Sequence, residues 1–296
     1  MMEGCVMKEP IFTGVCTAMV TPFWEDQIHF PMLKMLLLRQ LEAGIRAFVI
    51  CGTTGESPTL SDEEKCVMFQ YGKKVVGNQG LIIAGTGSNS TQHAIQLGRA
   101  AQQCGADALL VVSPYYNKAT DEGLYSHYRA IAEAVSIPVI LYNVPSRTGV
   151  DIPVSVYKRL SQIPNIVGVK EASPSLSKMA RIRHDCPSDF TIWSGNDDLT
   201  VPVMALGGKG VISVASNVIP GEMKAITDDA LSGNYPAAAK RLISHLPLME
   251  LLFSEVNPIP VKAAMDIIGY DCGGCRLPLT QLSEENRRKL EELLVL

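Results

Sequence analysis

Histidine, tryptophan and excess positive charge are all scarce in this chain. Of 296 residues, five are histidine and two are tryptophan, and aromatics as a whole make up 6%. The histidines, at positions 29, 93, 127, 184 and 245, lack metal-ligand spacing, which argues against a histidine-built metal centre. Lysine and arginine number 26 against 30 acidic residues, for a net charge of −4. Without a basic stripe, the electrostatic footprint of a nucleic-acid binder is missing. No run of about 18 uncharged apolar residues suggests a membrane span. Residues 1–10 carry no apolar stretch of signal-peptide length, so a cytoplasmic protein is expected. No Gly-x-Ser-x-Gly elbow supports serine hydrolysis. Gly85-Thr-Gly87 lacks the third glycine of a dinucleotide fingerprint.

Cysteine is present but scattered, at positions 5, 16, 51, 66, 104, 186, 272 and 275. Several sit inside apolar runs, as buried thiols do in reducing compartments. Cys272-Gly-Gly-Cys275 has the spacing of half a zinc site or a redox motif. It has no second pair and no neighbouring histidine cluster, so neither metal nor cofactor is expected.

What the sequence does have is apolar material, 47% of it, arranged in short runs at near-regular spacing. The runs are 15–20, 47–51, 81–84, 108–112, 138–141, 166–169, 190–193 and 210–214. Segments of helical period lie between them. One begins at Pro31 and stops before Gly44, and another opens on the capping-box pattern Ser61-Asp-Glu-Glu64. Strands alternating with helices imply βαβ units and a parallel sheet. Eight units predict a closed (β/α)8 TIM barrel, with an open doubly wound sheet as the alternative. After 214 the pattern turns helical, over about 220–231, 235–253, 258–268 and 283–294. The expected division is an N-terminal extension (1–10), a catalytic barrel (11–220) and a C-terminal helical extension packed on it (221–296).

Barrel chemistry sits at the C-terminal ends of strands. There, the run Ile166-Val-Gly-Val-Lys170 stops abruptly at a cation. Desolvation disfavours an ammonium, and a neutral lysine amine is a nucleophile that forms Schiff bases with carbonyls. The competing reading is a lysine leaving the sheet for solvent. Tyr142 ends the preceding strand, where a phenol can shuttle a proton to a forming imine. Gly52-Thr-Thr-Gly55 combines two hydroxyls with backbone N–H groups suited to a carboxylate, or is a plain strand-to-helix turn. Arg147, in a Pro/Gly-framed loop, suits a second carboxylate, or forms a surface ion pair. Gly207-Gly-Lys-Gly210 is read as close backbone approach in preference to a phosphate site.

In combination, Gly52-Thr-Thr-Gly-Glu-Ser57, Pro114-Tyr-Tyr-Asn117, Tyr142-Asn-Val-Pro-Ser-Arg-Thr-Gly149, Val169-Lys-Glu-Ala172 and Asn257-Pro-Ile-Pro-Val-Lys262 are specific. With them the chain resembles, from about residue 14 to 280, the pyruvate-dependent, Schiff-base-forming class I aldolase superfamily. Within it, the chain is most similar to the dihydrodipicolinate synthase family. The resemblance implies an imine between Lys170 and pyruvate, with no other cofactor. It implies a proton-relay triad of Tyr142, Thr54 and Tyr116, the last reaching into a neighbouring subunit, with Tyr115 beside it at the interface. It further implies Thr53 and Thr54 on the pyruvate carboxylate, Gly195 and Ile212 backbone lining the pocket, and Arg147 on the carboxylate of L-aspartate-4-semialdehyde. A homotetramer made of two tight dimers is the expected assembly.

One departure is informative. Lysine-inhibited members of the family carry two histidines and a glutamate where this chain has Asp62, Lys65 and His93, while Ser57, Asn89 and Tyr115 are kept. Weak or absent feedback by lysine is expected. The rival readings are an aldolase for a sialic acid or keto-deoxy sugar acid, a metal-dependent barrel aldolase, and a non-catalytic binding protein on the same barrel.

Overall fold

A computed structural model describes residues 9–294. Eight strands form a closed, all-parallel barrel in sequence order: β1 (Gly14–Ala18), β2 (Ala47–Ile50), β3 (Leu81–Gly85), β4 (Ala108–Val112), β5 (Val139–Asn143), β6 (Ile166–Glu171), β7 (Thr191–Ser194) and β8 (Gly210–Ser213). Closure is made by β8 against β1, in register from Gly14 with Gly210 to Thr17 with Ser213. A closed barrel leaves no edge strand, and helices cover its outside. The eight apolar runs thus correspond to eight strands. Some continue past their apolar residues: among them, β5 reaches Asn143 and β6 reaches Glu171, which puts Tyr142 and Lys170 inside paired strand.

The connecting helices are α1 (Phe30–Glu42), α2 (Asp62–Val76), α3 (Thr91–Gln103), α4 (Asp121–Glu133), the single turn α5 (Pro145–Thr148), α6 (Val154–Leu160), α7 (Leu176–Asp185) and α8 (Thr200–Ala205). α9 (Pro220–Leu231) follows β8 and packs on β1. α10 (Tyr235–Leu251), α11 (Ile259–Ile267) and α12 (Glu284–Leu294) complete the described chain. The capping box at α2 forms: Ser61 Oγ accepts from the Glu64 N–H at 3.1 Å, and Glu64 Oε2 accepts from the Ser61 N–H at 2.8 Å. Such a box satisfies two of the orphan donors at a helix start.

Alternation along the strands divides the core in two. Inward residues, among them Cys16, Val49, Ile83, Leu110, Ile140, Tyr142, Trp193 and Ile212, fill the barrel. Outward residues such as Phe48, Leu109, Leu141 and Val169 pack under the helices. Trp193 is fully buried; its indole stacks on Phe12 at 4.8 Å between ring centres and donates to the Phe12 carbonyl at 3.2 Å.

The C-terminal helices are stapled to the barrel by a buried ion pair. Lys262 Nζ donates to Glu56 Oε1 at 2.9 Å, and also to the carbonyls of Thr21 (3.0 Å) and Gly274 (2.6 Å). The other Glu56 oxygen accepts the Arg276 N–H at 2.9 Å. A buried ion pair persists when its remaining donors and acceptors are satisfied, and these are. Glu56 directly follows the Gly52–Gly55 turn, so the staple fixes that loop as well as the extension.

Candidate active site

β5 and β6 run in register, pairing Tyr142 with Lys170 and Asn143 with Glu171. Since neighbours on a strand point to opposite faces, Tyr142 and Lys170 share the barrel interior while Asn143 and Glu171 face the helices. The outer pair is tied down. Asn143 Nδ2 donates to Glu171 Oε1 at 2.8 Å, and the same oxygen accepts the Ser173 N–H at 2.9 Å. Tyr157 Oη donates to Glu171 Oε2 at 3.0 Å. A slip of one residue would break these bonds and turn Lys170 outward, so the polar network on the far face specifies the register of the inner one.

Lys170 is 6% exposed and its Nζ lies 4.4 Å from the centre of the Tyr142 ring. No carboxylate or other hydrogen-bond partner meets Nζ among the described residues. The other two buried lysines among the described residues differ: Lys262 is saturated by three acceptors, and Lys65 pairs with Asp62 at 3.6 Å. Lys170 is thus the buried lysine whose nitrogen no protein acceptor occupies, which leaves it open to a carbonyl ligand.

The Gly52–Gly55 turn joins β2 to the helix that opens at Asp62. Its own bonds consume three amides: the N–H of Gly55 and of Ser57 donate to the Gly52 carbonyl, and that of Glu56 to the Thr53 carbonyl. The amides of Thr53 and Thr54 are not used this way, and with the two hydroxyls they are the donors available to a carboxylate. Glu56 leaves the turn with φ of +56°, a left-handed conformation held by the Lys262 staple. Thr54 is 2% exposed and its Oγ1 accepts from Asn257 Nδ2 at 3.1 Å. Gly85, at the tip of β3, has no room for a side chain, because a Cβ would collide with the Cys51 carbonyl.

Arg147 lies in α5, the single turn after β5, and its Nη2 donates to the Asn257 carbonyl at 3.4 Å. Gly195 follows β7; its N–H donates to the Glu171 carbonyl at 2.8 Å, and a Cβ there would sit 2.5 Å from that of Ala172. Ile212 is fully buried in the same inner cluster as Tyr142. Tyr115 and Tyr116 stand apart from this group. Tyr115 is 38% exposed, and Tyr116 is 92% exposed with φ of +70°, so within one chain its phenol does not join Tyr142 and Thr54.

A cleft of about 640 Å³ is lined by Thr53, Tyr142, Val144 and Arg147 together with Ser57, Asp62, Lys65, His93 and Tyr115. Within this lining Asp62 is shared: His93 Nε2 lies 2.8 Å from one carboxylate oxygen and Lys65 Nζ 3.6 Å from the other, while His93 Nδ1 meets Ser88 Oγ at 3.1 Å.

Among the described residues, no group of three histidine, cysteine or acidic side chains is placed to hold a metal ion. Cys272 and Cys275 are free thiols, and burial pushes each up to about 12. Sequence reasoning gave no role to Asn257, although it lies in one of the motifs quoted for the resemblance. Its neighbours Thr54 and Arg147 are distant in sequence, and only the fold brings them together.

Residues 11–295 match the model of the dihydrodipicolinate synthetase family. The 4-hydroxy-tetrahydrodipicolinate synthase of Acetivibrio thermocellus is 48% identical over 288 residues, covering 97% of this chain and 98% of that protein. That of Caldicellulosiruptor saccharolyticus is 46% identical, covering 97% of each. Among solved structures, the dihydrodipicolinate synthase of Aquifex aeolicus is 44% identical and superposes with a TM-score of 0.94, covering 96% of this chain and 97% of that one. The chain belongs to the dihydrodipicolinate synthetase family.

Proposed function

We propose that this protein is an aldolase-type lyase that condenses pyruvate with L-aspartate-4-semialdehyde, giving 4-hydroxy-tetrahydrodipicolinate for lysine and diaminopimelate biosynthesis. The observation that carries the reading is Lys170, buried in the barrel without a counter-ion beside Tyr142. The Lys170 amine attacks the pyruvate ketone and water leaves, forming the imine. Loss of a methyl proton gives the enamine, whose carbon attacks the aldehyde. The amino group of the second substrate then closes the ring on the imine carbon and releases Lys170. Each proton transfer calls for an acid or base at the imine, the role proposed for Tyr142 and Thr54, with Tyr116 completing the relay. Thr53 and Thr54 hold the pyruvate carboxylate through the two amides their turn leaves open. The Gly195 carbonyl and the Ile212 backbone line the pocket, and Arg147 takes the carboxylate of the aldehyde substrate.

A homotetramer of two tight dimers is part of this reading, because Tyr116 needs a partner subunit to bring it to a site. Its 92% exposure and left-handed backbone suit a side chain held out toward another chain. One solved relative, 41% identical, is described as a monomeric variant, so sedimentation of the protein with and without Tyr116→Ala is the direct measure of assembly. No helix among the described residues is long and apolar enough to cross a membrane, and a cytoplasmic site of action is part of the same proposal.

The test is turnover of pyruvate with L-aspartate-4-semialdehyde compared with cleavage of sialic and keto-deoxy sugar acids. Condensation that disappears in Lys170→Ala supports the reading; preferential sugar-acid cleavage refutes it.

A further inference from the structure

Asn257 lies between α10 and α11, in the segment that brings the C-terminal extension onto the barrel mouth. It is 5% exposed. Its side-chain Nδ2 donates to Thr54 Oγ1 at 3.1 Å, and its backbone carbonyl accepts from Arg147 Nη2 at 3.4 Å. Its Oδ1 is buried without a hydrogen-bond partner. An amide nitrogen only donates, whereas a hydroxyl can accept and donate at once. A Thr54 oxygen that accepts from Asn257 cannot spend its own proton on that same bond. The hydroxyl proton is left for a group on another side of Thr54.

We propose that Asn257 is a positioning residue for the condensation, fixing through its Nδ2 the direction in which the Thr54 hydroxyl gives its proton. Its carbonyl simultaneously tethers Arg147, so one residue of the extension sets both the relay threonine and the arginine at the cleft. The inference rests on the proposed function, in which Thr54 belongs to the proton relay. A buried donor held in this way orients a hydroxyl rotor that would otherwise have several settings. An acceptor at position 257 would have the opposite effect, drawing the Thr54 proton toward the extension and away from the cleft.

The experiment is a double-mutant cycle on the full-length enzyme, with pyruvate and L-aspartate-4-semialdehyde as substrates. Wild-type turnover and borohydride trapping on Lys170 come first; if either is missing, it is the functional reading that fails. With both in place, Asn257→Ala is expected to lower kcat by about 10- to 100-fold, below the full worth of an acid–base group, with KM for pyruvate within about threefold. Asn257→Asp, isosteric but without N–H donors, is expected to lose at least as much. In a Thr54→Val background, Asn257→Ala is expected to cost nothing further, because the group it orients is gone. A wild-type kcat in Asn257→Ala or in Asn257→Asp would overturn the proposal. So would losses that multiply in the double variant, which mark a general structural role. Should Asn257→Ala fail to fold, Asn257→Asp carries the same cycle with the same two outcomes.

Discussion

Tyr142 and Lys170 are register partners on adjacent strands, and the lysine nitrogen sits 4.4 Å from the centre of the tyrosine ring inside the barrel. The geometry keeps a buried amine next to the phenol proposed to carry protons to and from the imine. Removing only the phenol oxygen separates packing from proton transfer. Tyr142→Phe is expected to keep the fold and to lower kcat by about 10²- to 10⁴-fold. Steady-state rates, together with a thermal midpoint near that of wild type, check it.

Arg147 is bound through one guanidinium nitrogen to the Asn257 carbonyl, which leaves the rest of its donor fork for a ligand. Arg147→Ala is expected to raise KM for L-aspartate-4-semialdehyde by about 10- to 100-fold, the worth of one or two charge-assisted hydrogen bonds. Pyruvate trapping on Lys170 should stay near wild type. Measuring both on one preparation tells loss of the second substrate's site from loss of the first.

The Glu56–Lys262 pair is buried at both ends, with side chains 0% and 3% exposed. Replacing one partner leaves an uncompensated buried charge. Lys262→Met is expected to destabilise the fold by about 3–5 kcal/mol. Adding Glu56→Gln should recover part of that loss. Chemical denaturation of wild type and the two variants measures it, and equal stability of Lys262→Met and wild type would contradict the staple.

His127 is buried, with Nδ1 2.9 Å from Thr91 Oγ1 and Nε2 without a partner. Burial lowers it from an ordinary 6.5 to about 4. The folded state therefore resists protonation while the unfolded chain accepts it. Stability from this group is fully present above about pH 6.5 and is lost as pH falls toward 4, by on the order of 3 kcal/mol in total. His127→Leu should flatten the dependence of stability on pH across that window.

Asp62 is shared by Lys65 and His93 in the part of the cleft nearest α2 and α3. Lys65 balances the charge of Asp62, so the pair offers no net negative charge to an incoming ammonium. Half-inhibition by lysine is expected only above about 1 mM, if at all. A titration of the condensation rate with lysine measures this directly.

The barrel was legible because its strands are buried on both faces and so read as uninterrupted apolar runs. The ends of β5 and β6 were less so. Tyr142, Asn143, Lys170 and Glu171 interrupt the apolar pattern, yet cross-strand bonds between Asn143 and Glu171 keep the chain extended through them. Lys170, Tyr142, the threonine turn and Arg147 stood out by residue type at strand tips. Asn257 did not, because nothing local marks a residue whose partners, Thr54 and Arg147, are 203 and 110 positions away. The mutual saturation of Glu56 and Lys262 was hidden for the same reason. Each reads alone as a surface charge, and only the closed fold buries them together.

The most direct test of the account is to incubate the protein with pyruvate, reduce with borohydride and map the modified peptide by mass spectrometry. A reduced pyruvyl adduct on Lys170 is the predicted result. No adduct, or one on another lysine such as Lys209 or Lys262, would contradict it.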